Sequence, residues 1–485
     1  MKFIQKIKNF LSPEDLTKGN ITKNIILFTI PIIISLIFQQ IYSLTDAIIA
    51  GQNLNANEIA GINDSGSITF IFLDFAFGCT SGFSALTAKA KGANDENAIK
   101  KSFSIQIVLG FFIAIILTVV SIVFKDVFLS MINVNQGSQV YESASTYLVI
   151  IFIGIIAQLF YNLFSNILRS IGDSITPLIV LISSCLLNII LDLLFMVTFK
   201  WGVAGAAWAT IISQFLCGIA CFIYCYKRYS FFHIKMQDLR IDWKYASEHL
   251  KNGIPLGLQF SILAIGIIVM QGAVVNFDLE NKDPLNPAQL GYGAANKYLG
   301  AIMSIPNAIG TTMLSFTGQN YGAKQFGRIK EGIKKSLILS ISASTILIII
   351  TLLLCINGTF LKMFLSPANI DDLTIKYGTF YYFANSLFFF TLGILFIGRG
   401  VFQGLQKPFI PFILGVIELI VRFVICLYGP KIISPDDLTS DIAYLTIMSA
   451  DSITWLACAI VILICFITKI FKNPEYKDIP TTINK

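Results

Sequence analysis

Twelve apolar stretches, each of about twenty residues or more, dominate the chain: 24–51, 66–90, 102–125, 145–168, 175–199, 203–226, 254–278, 292–317, 334–358, 379–400, 408–429 and 446–470. Coiled as a helix, such a stretch matches the hydrocarbon thickness of a bilayer. A helix also satisfies its own backbone donors and acceptors, which lipid cannot do for it. The chain therefore reads as an all-α, polytopic membrane protein with twelve transmembrane helices. Composition agrees: of 485 residues, 55% are hydrophobic and only 13% charged, against roughly 25% charged in a soluble domain.

Lysine and arginine fix the orientation. Most of the 35 gather in 1–23, 89–101, 227–251, 324–335 and the C-terminal tail, on alternate ends of the runs. The positive-inside rule then places both termini in the cytoplasm of a protein of the cell membrane. The net charge of +7 reads as topology, and a nucleic-acid partner has no support. The first run is too long for a signal-peptide core and no small-residue cleavage site follows it. The nine cysteines lie within the runs. Cys217, Cys221 and Cys225 share one face of the sixth, where they read as small packing residues rather than a metal or redox face, and no CxxC pair occurs.

The runs fall into two sets of six. Residues 1–226 form an N-terminal lobe with its tail, 227–253 a basic cytoplasmic connection, 254–470 a C-terminal lobe and 471–485 a cytoplasmic tail. The halves echo each other: "KGANDENAIKKSF" (91–103) resembles "YGAKQFGRIKEGIKKSL" (321–337), Pro31 answers Pro255, and Pro177 answers Pro411. Six spans per half give a parallel repeat about the membrane normal, an architecture frequent in transporters that bind substrate between two rocking halves.

Within this apolar frame the polar residues stand out. Ser35, Gln39, Tyr42 and Asp46 are spaced four, three and four along the first span and so share a face. Ser184, Asn188 and Asp192 repeat every four residues on the fifth, and Thr210 and Gln214 on the sixth. Asp46, Asp192 and Thr210 lie at similar depths below the outer end of their spans. Intramembrane acids are costly and face protein or a water-filled cavity. Two carboxylates, an amide and a hydroxyl at one depth suit Na⁺ or a shared proton, because two carboxylates in low dielectric do not readily both ionise. The alternative is an interhelical hydrogen bond that only holds the spans together. Asp74, in the second span, either joins this site or faces a polar cavity alone.

The second lobe differs. Its one acid well inside a span, Glu418, stands four residues before Arg422, the only base assigned to a span interior. That spacing reads as an ion pair on one helix face. Asp451 is placed too near the outer end of its span to count. The lobe otherwise offers Gln259, Asn296, Ser304, Asn307 and Thr311, so coupling chemistry is expected in the first lobe alone.

These residues are similar to those of the multidrug and toxic compound extrusion (MATE) transporters. The resemblance runs over about residues 15–470. Its most specific part is "NILRSIGDSITPLIVLISSCLLNIILDLLFMVTFKWGVAGAAWATIISQ" (166–214), with its R-x-x-G-D, following proline, N-x-x-x-D and "GVAGAAWAT". It implies export of an organic compound against inward H⁺ or Na⁺. Residue by residue it carries the coupling role onto Asp46, the cation site onto Asp46, Asn188, Asp192 and Thr210, and a bending position onto Pro31. Gln39 and Tyr42 match positions near the substrate. Spans seven and ten lack the acids of many NorM-like members, so the chain resembles the DinF-like and MepA-like members more.

A small organic substrate, cationic or amphipathic, is expected to touch Gln39, Tyr42, Asp74, Gln214, Gln259, Met270 and Asn296, since aromatic rings attract organic cations and methionine adapts to varied shapes. No cofactor is expected beyond the coupling ion, and the protein is expected to act as a monomer in the bilayer. Three other readings are weaker. A lipid-linked oligosaccharide flippase calls for a cationic cleft, and intramembrane bases are nearly absent. An enzyme lacks a HExxH, GxSxG or Cys/His set. A primary pump lacks a phosphate-binding loop and room for a nucleotide domain.

Overall fold

The computed structural model describes residues 14–132, 134–283, 285–365 and 370–476, and the regular structure among them is entirely helical. Eleven helices are long and apolar enough to cross a membrane. They are α1 (Ile21–Asn53), α2 (Ala56–Gly92), α3 (Glu96–Val123), α5 (Ile175–Thr198), α6 (Val203–Arg228), α7 (Trp243–Asn281), α8 (Pro287–Gly322), α9 (Phe326–Gly358), α10 (Asp372–Gly404), α11 (Phe409–Ile433) and α12 (Asp441–Phe471). A broken span, α4, supplies the twelfth: Gln139–Ile153 and Ile155–Ser170 meet at 46°. Each helix overlaps one of the twelve apolar runs. The helices outrun the runs because an apolar run marks the stretch within lipid, whereas a helix ends where a cap stops it. Thus α2 starts just after Asn55, whose side chain accepts from Glu58 N while Glu58 Oε2 accepts from Asn55 N, a reciprocal cap. Likewise α7 begins at Trp243 rather than 254, taking up the end of the basic connection.

The helices group into two compact units. The first holds the chain to Ser261 together with Leu314–Gln325 and Phe402–Phe409, and the second holds the remainder. Phe72, Phe103, Phe152 and Phe164 fill the core of the first. Phe232, from the connection after α6, is fully buried there and packs on Phe103 with ring centroids 4.5 Å apart. Lys100 on α3 holds Asp238 of the same connection at 2.7 Å. Large apolar side chains stay exposed along the outward faces, among them Ile30, Ile34 and Ile41 on α1 and Leu186 and Ile190 on α5. In lipid such faces need no cover.

The repeated turn sequences make a reciprocal contact within the first unit. After α2 the turn passes through Asn94 and after α8 through Lys324, each in the left-handed region. Gly92 lies against the backbone of Gln319, and Gly322 against the backbone of Lys89. A Cβ on Gly92 would sit 1.8 Å from the Gln319 carbonyl oxygen, and one on Gly322 would sit 1.9 Å from that of Lys89. Gln319 also accepts from Leu16 N and donates to Ser170 O, so the segment before α1 and the end of α4 meet at this contact.

The second unit buries a chain of charges that the sequence shows only in part. Arg399 of α10 pairs with Glu418 of α11. Arg422 Nη1 lies 3.7 Å from the second Glu418 oxygen, and Arg422 Nε donates to Asp451 Oδ1 of α12 at 2.8 Å. Tyr381 of α10 donates to Asp451 Oδ2, also at 2.8 Å. All four charged side chains are under a tenth exposed. The Glu418–Arg422 pair stands as read, but Asp451 needs correction: it is buried and ion-paired, held by Arg422 and Tyr381, rather than set apart near the outer end of its run. Arg399, at the end of the tenth run, is buried as well, held by Glu418.

Two outcomes follow from these contacts. Gly92→Ala should lower thermal stability by about 1–3 kcal/mol, the usual penalty of overpacking. Gly66→Ala on the same helix, where a Cβ meets nothing within 4 Å, should instead stabilise by about 0.5–1 kcal/mol. Melting curves of the detergent-solubilised protein distinguish the two signs. Arg422→Leu strands the Asp451 carboxylate and should cost about 3–5 kcal/mol, whereas Arg422→Leu combined with Asp451→Leu should recover much of it. A double-mutant cycle on the same melts reads the coupling.

Candidate functional site

The α5–α6 hairpin frames the site. Its turn runs through Lys200 and Gly202, both at positive φ, and Trp201 N bonds back to Phe195 O at 2.9 Å. The last residues of α5, Leu193–Thr198, form a π-helical stretch that starts immediately after Asp192. Such widened turns are rare and recur at functional positions. The hairpin brings Asn188 and Asp192 level with Thr210. With its amide turned to suit its neighbours, Asn188 donates from Nδ2 to Asp192 Oδ2 at 2.8 Å and accepts at Oδ1 from Thr210 N at 3.2 Å. Asn188 and Asp192 are 1% and 0% exposed, while Leu186 and Ile190 on the opposite face are 59% and 61% exposed. The fifth span is thus polar inward and apolar outward, as its four-residue stripe requires.

Asp46 arrives from α1. That helix continues unbroken through Pro31, and Ser35 Oγ donates to the Pro31 carbonyl at 2.8 Å. One turn before Asp46, the Tyr42 hydroxyl meets Thr210 Oγ1 at 3.3 Å. The carboxyl groups of Asp46 and Asp192 come within hydrogen-bonding reach of each other. The Oδ1 atom of each is buried without a hydrogen-bond partner. Two like unit charges about 4 Å apart repel by roughly 4 kcal/mol at an effective dielectric of about 20. Two carboxyl groups so placed do not readily both carry a charge.

The four residues expected at the cation site therefore lie together. Tyr147 of α4 is an addition: it is within electrostatic reach of both acids. A signal for it existed, because Tyr147, Gln158 and Asn162 recur along one face of the fourth span at intervals of eleven and four.

Asn188 also lines a cavity of about 90 Å³ whose wall includes Gln39, Tyr42, Gln158, Asn162, Ser184 and Gln214. Its polar lining consists of amides and hydroxyls. Gln39, Tyr42 and Gln214, three of the residues expected near a substrate, are in this wall. The other expected substrate residues do not line it. Asp74 sits on α2 and enters no ion pair among the described residues, and Gln259 is fully buried on α7. Met270 is buried and Asn296 exposed, both in the second unit. Among the described residues no cluster of three or more His, Cys, Asp and Glu forms a metal site, and Cys217, Cys221 and Cys225 are buried as free thiols.

Known proteins share this sequence and fold. The MatE family model matches residues 31–194 and 290–428, more than half of the chain. A probable multidrug resistance protein of Bacillus subtilis, YpnP, is 30% identical over 64% of this chain and 67% of its own. A probable multidrug resistance protein of Thermotoga maritima, NorM, is 24% identical over 70% and 72%. The multidrug export protein MepA of Staphylococcus aureus is 23% identical over 85% and 89%. An outward-facing multidrug resistance transporter of the MATE family superposes with a TM-score of 0.82 at 19% identity, covering 94% of this chain and 97% of that one. A MATE crystal structure with the ligand MaL6 gives 0.81 at 18% identity, with coverage of 94% and 98%. With the family model spanning both halves of the chain, the protein belongs to the MATE family of multi-pass membrane transporters.

Proposed function

We propose that the protein exports small organic compounds in exchange for H⁺ or Na⁺, and that Asp46 and Asp192 carry the coupling ion. The observation that carries this reading is the facing pair of carboxyl groups, each with one buried oxygen left unpartnered. Asn188 and Thr210 complete an oxygen-rich set that suits either ion.

The arrangement also offers a link between ion and substrate. Asn188 holds Asp192 and lines the cavity. Tyr42 lines the cavity and shares a hydrogen bond with Thr210. An ion that draws Asp192 and Thr210 toward itself must change what Asn188 and Tyr42 present to a substrate. In the proposed cycle, H⁺ or Na⁺ reaches Asp46 from outside, α1 adjusts at Pro31, and the substrate is released outward. The return step carries the ion to the cytoplasm, where both termini lie. A proline suits this role because its missing N–H leaves the helix one backbone bond short and open to bending.

The cavity lining extends the substrate range beyond simple cations, since amides and hydroxyls recognise neutral hydrogen-bonding groups as well. Flipping a lipid-linked diphosphate is less well supported. The buried guanidinium groups, Arg399 and Arg422, are already paired with Glu418 and Asp451.

The test is efflux of ethidium from proteoliposomes under a pH gradient and, separately, a Na⁺ gradient. Wild-type protein should respond to one of them. Asp46→Asn should lose the response while keeping the wild-type melting curve. Gradient-driven efflux retained by Asp46→Asn would sink the assignment of the coupling site.

A further inference from the structure

We propose that Asp74 of α2 and Gln259 of α7 form a second proton-binding site in the first unit, separate from the Asp46–Asp192 pair. Its part in transport rests on the cation-coupled reading above, but its proton chemistry does not.

The two helices pack antiparallel in a tight register. Gly82 touches Asn252 and Gly253, and Gly78 touches Leu256 and Gly257. Phe77 and Phe260 meet edge to face at 5.2 Å, and Ser261 Oγ donates to Ile71 O at 2.8 Å. Residue numbers fall along α2 as they rise along α7, so Asp74 is level with Gln259. Both belong to the facing stripes: 71, 74, 78 and 82 on α2, and 252, 256 and 259 on α7, each at intervals of three or four.

Each side chain is left idle there. Gln259 is 0% exposed, yet neither its Nε2 nor its Oε1 has a hydrogen-bond partner. Buried amides are nearly always satisfied, and an exception calls for an explanation. Asp74 is partly buried, and among the described residues its carboxyl group enters no ion pair or hydrogen bond. It is a carboxyl without a base, opposite an amide without a partner.

An amide suits a carboxyl group that gains and loses a proton, because it can serve both forms. The protonated acid donates its O–H to Gln259 Oε1. When the proton leaves to water on the exposed side of Asp74, the carboxylate becomes an acceptor only. A half-turn of the Gln259 amide then presents Nε2 as donor. A lysine or arginine would fix the carboxylate, and an apolar neighbour would fix the acid. The place gives the exchange a consequence. Gln259 lies two residues before Ser261, where α7 leaves the first unit and continues into the second. A proton at Asp74 therefore acts on the final turn of α7 that the first unit holds.

Infrared difference spectra of the purified full-length protein, titrated from acid to alkaline pH in H₂O and D₂O, test the assignment. Wild type should show a protonated-carboxyl C=O band that Asp74→Asn loses and Asp46→Asn keeps. Gln259→Leu should keep the band but shift it to higher frequency, because the acid loses its hydrogen-bond partner. Asp74→Glu should restore a titrating band and so separates loss of the site from loss of the fold. An unchanged spectrum in Asp74→Asn, or an unshifted band in Gln259→Leu, overturns the proposal. Failure of gradient-driven efflux leaves either spectral result as it is, so this site and the export reading fail independently.

Discussion

A carboxylate taken into the hydrocarbon of a bilayer must be matched from within the protein, because no solvent will do it. The other choices in this structure follow from how each buried acid meets that demand. Glu418 and Asp451 are met in full by arginine and tyrosine donors, which leaves them as fixed structural charges. Asp192 is met by half: Asn188 supplies one donor, and the second oxygen faces Asp46. Asp46 has no protein donor at its buried oxygen. The degree of matching separates acids held by fixed partners from acids left with a buried oxygen unpartnered.

The same demand explains why the site is built on the α5–α6 hairpin and α1 together. One helix cannot present two carboxyl groups to each other and still turn an apolar face to lipid. The hairpin places Asn188, Asp192 and Thr210 on its inner side, and α1 adds Asp46 one turn beyond Tyr42. Because Asn188 and Tyr42 also form part of the cavity wall, the carboxyl pair with its polar neighbours and the cavity share side chains.

Much of this was legible in the sequence. The spans were, because apolar length is a direct physical requirement of the bilayer. The clustering of Asp46, Asn188, Asp192 and Thr210 was, because Ser184, Asn188 and Asp192 repeat at the helical period and share a depth with Asp46 and Thr210. The remainder depended on facts that no single helix carries. Asp451 looks wet when judged by its distance from the end of its run, and only Arg422, twenty-nine residues away, reveals that it is buried. Arg399 stands at the very end of its run, and only Glu418, on the next helix, reveals that it too is buried. Tyr147 stands on the far side of the break in α4, which interrupts the face it shares with Gln158 and Asn162.

The paired charges of α11 also bear on how the chain enters the membrane. A helix is inserted while its eventual neighbours are still being made or are not yet packed against it. Glu418 and Arg422 stand one turn apart on the same segment and face each other across 3.7 Å. They can meet as soon as that segment coils, so α11 need not expose two isolated charges during biogenesis. Arg399 and Asp451 have no such partner on their own helices. They must wait for α11, which makes this one segment the assembly point for the second half of the protein.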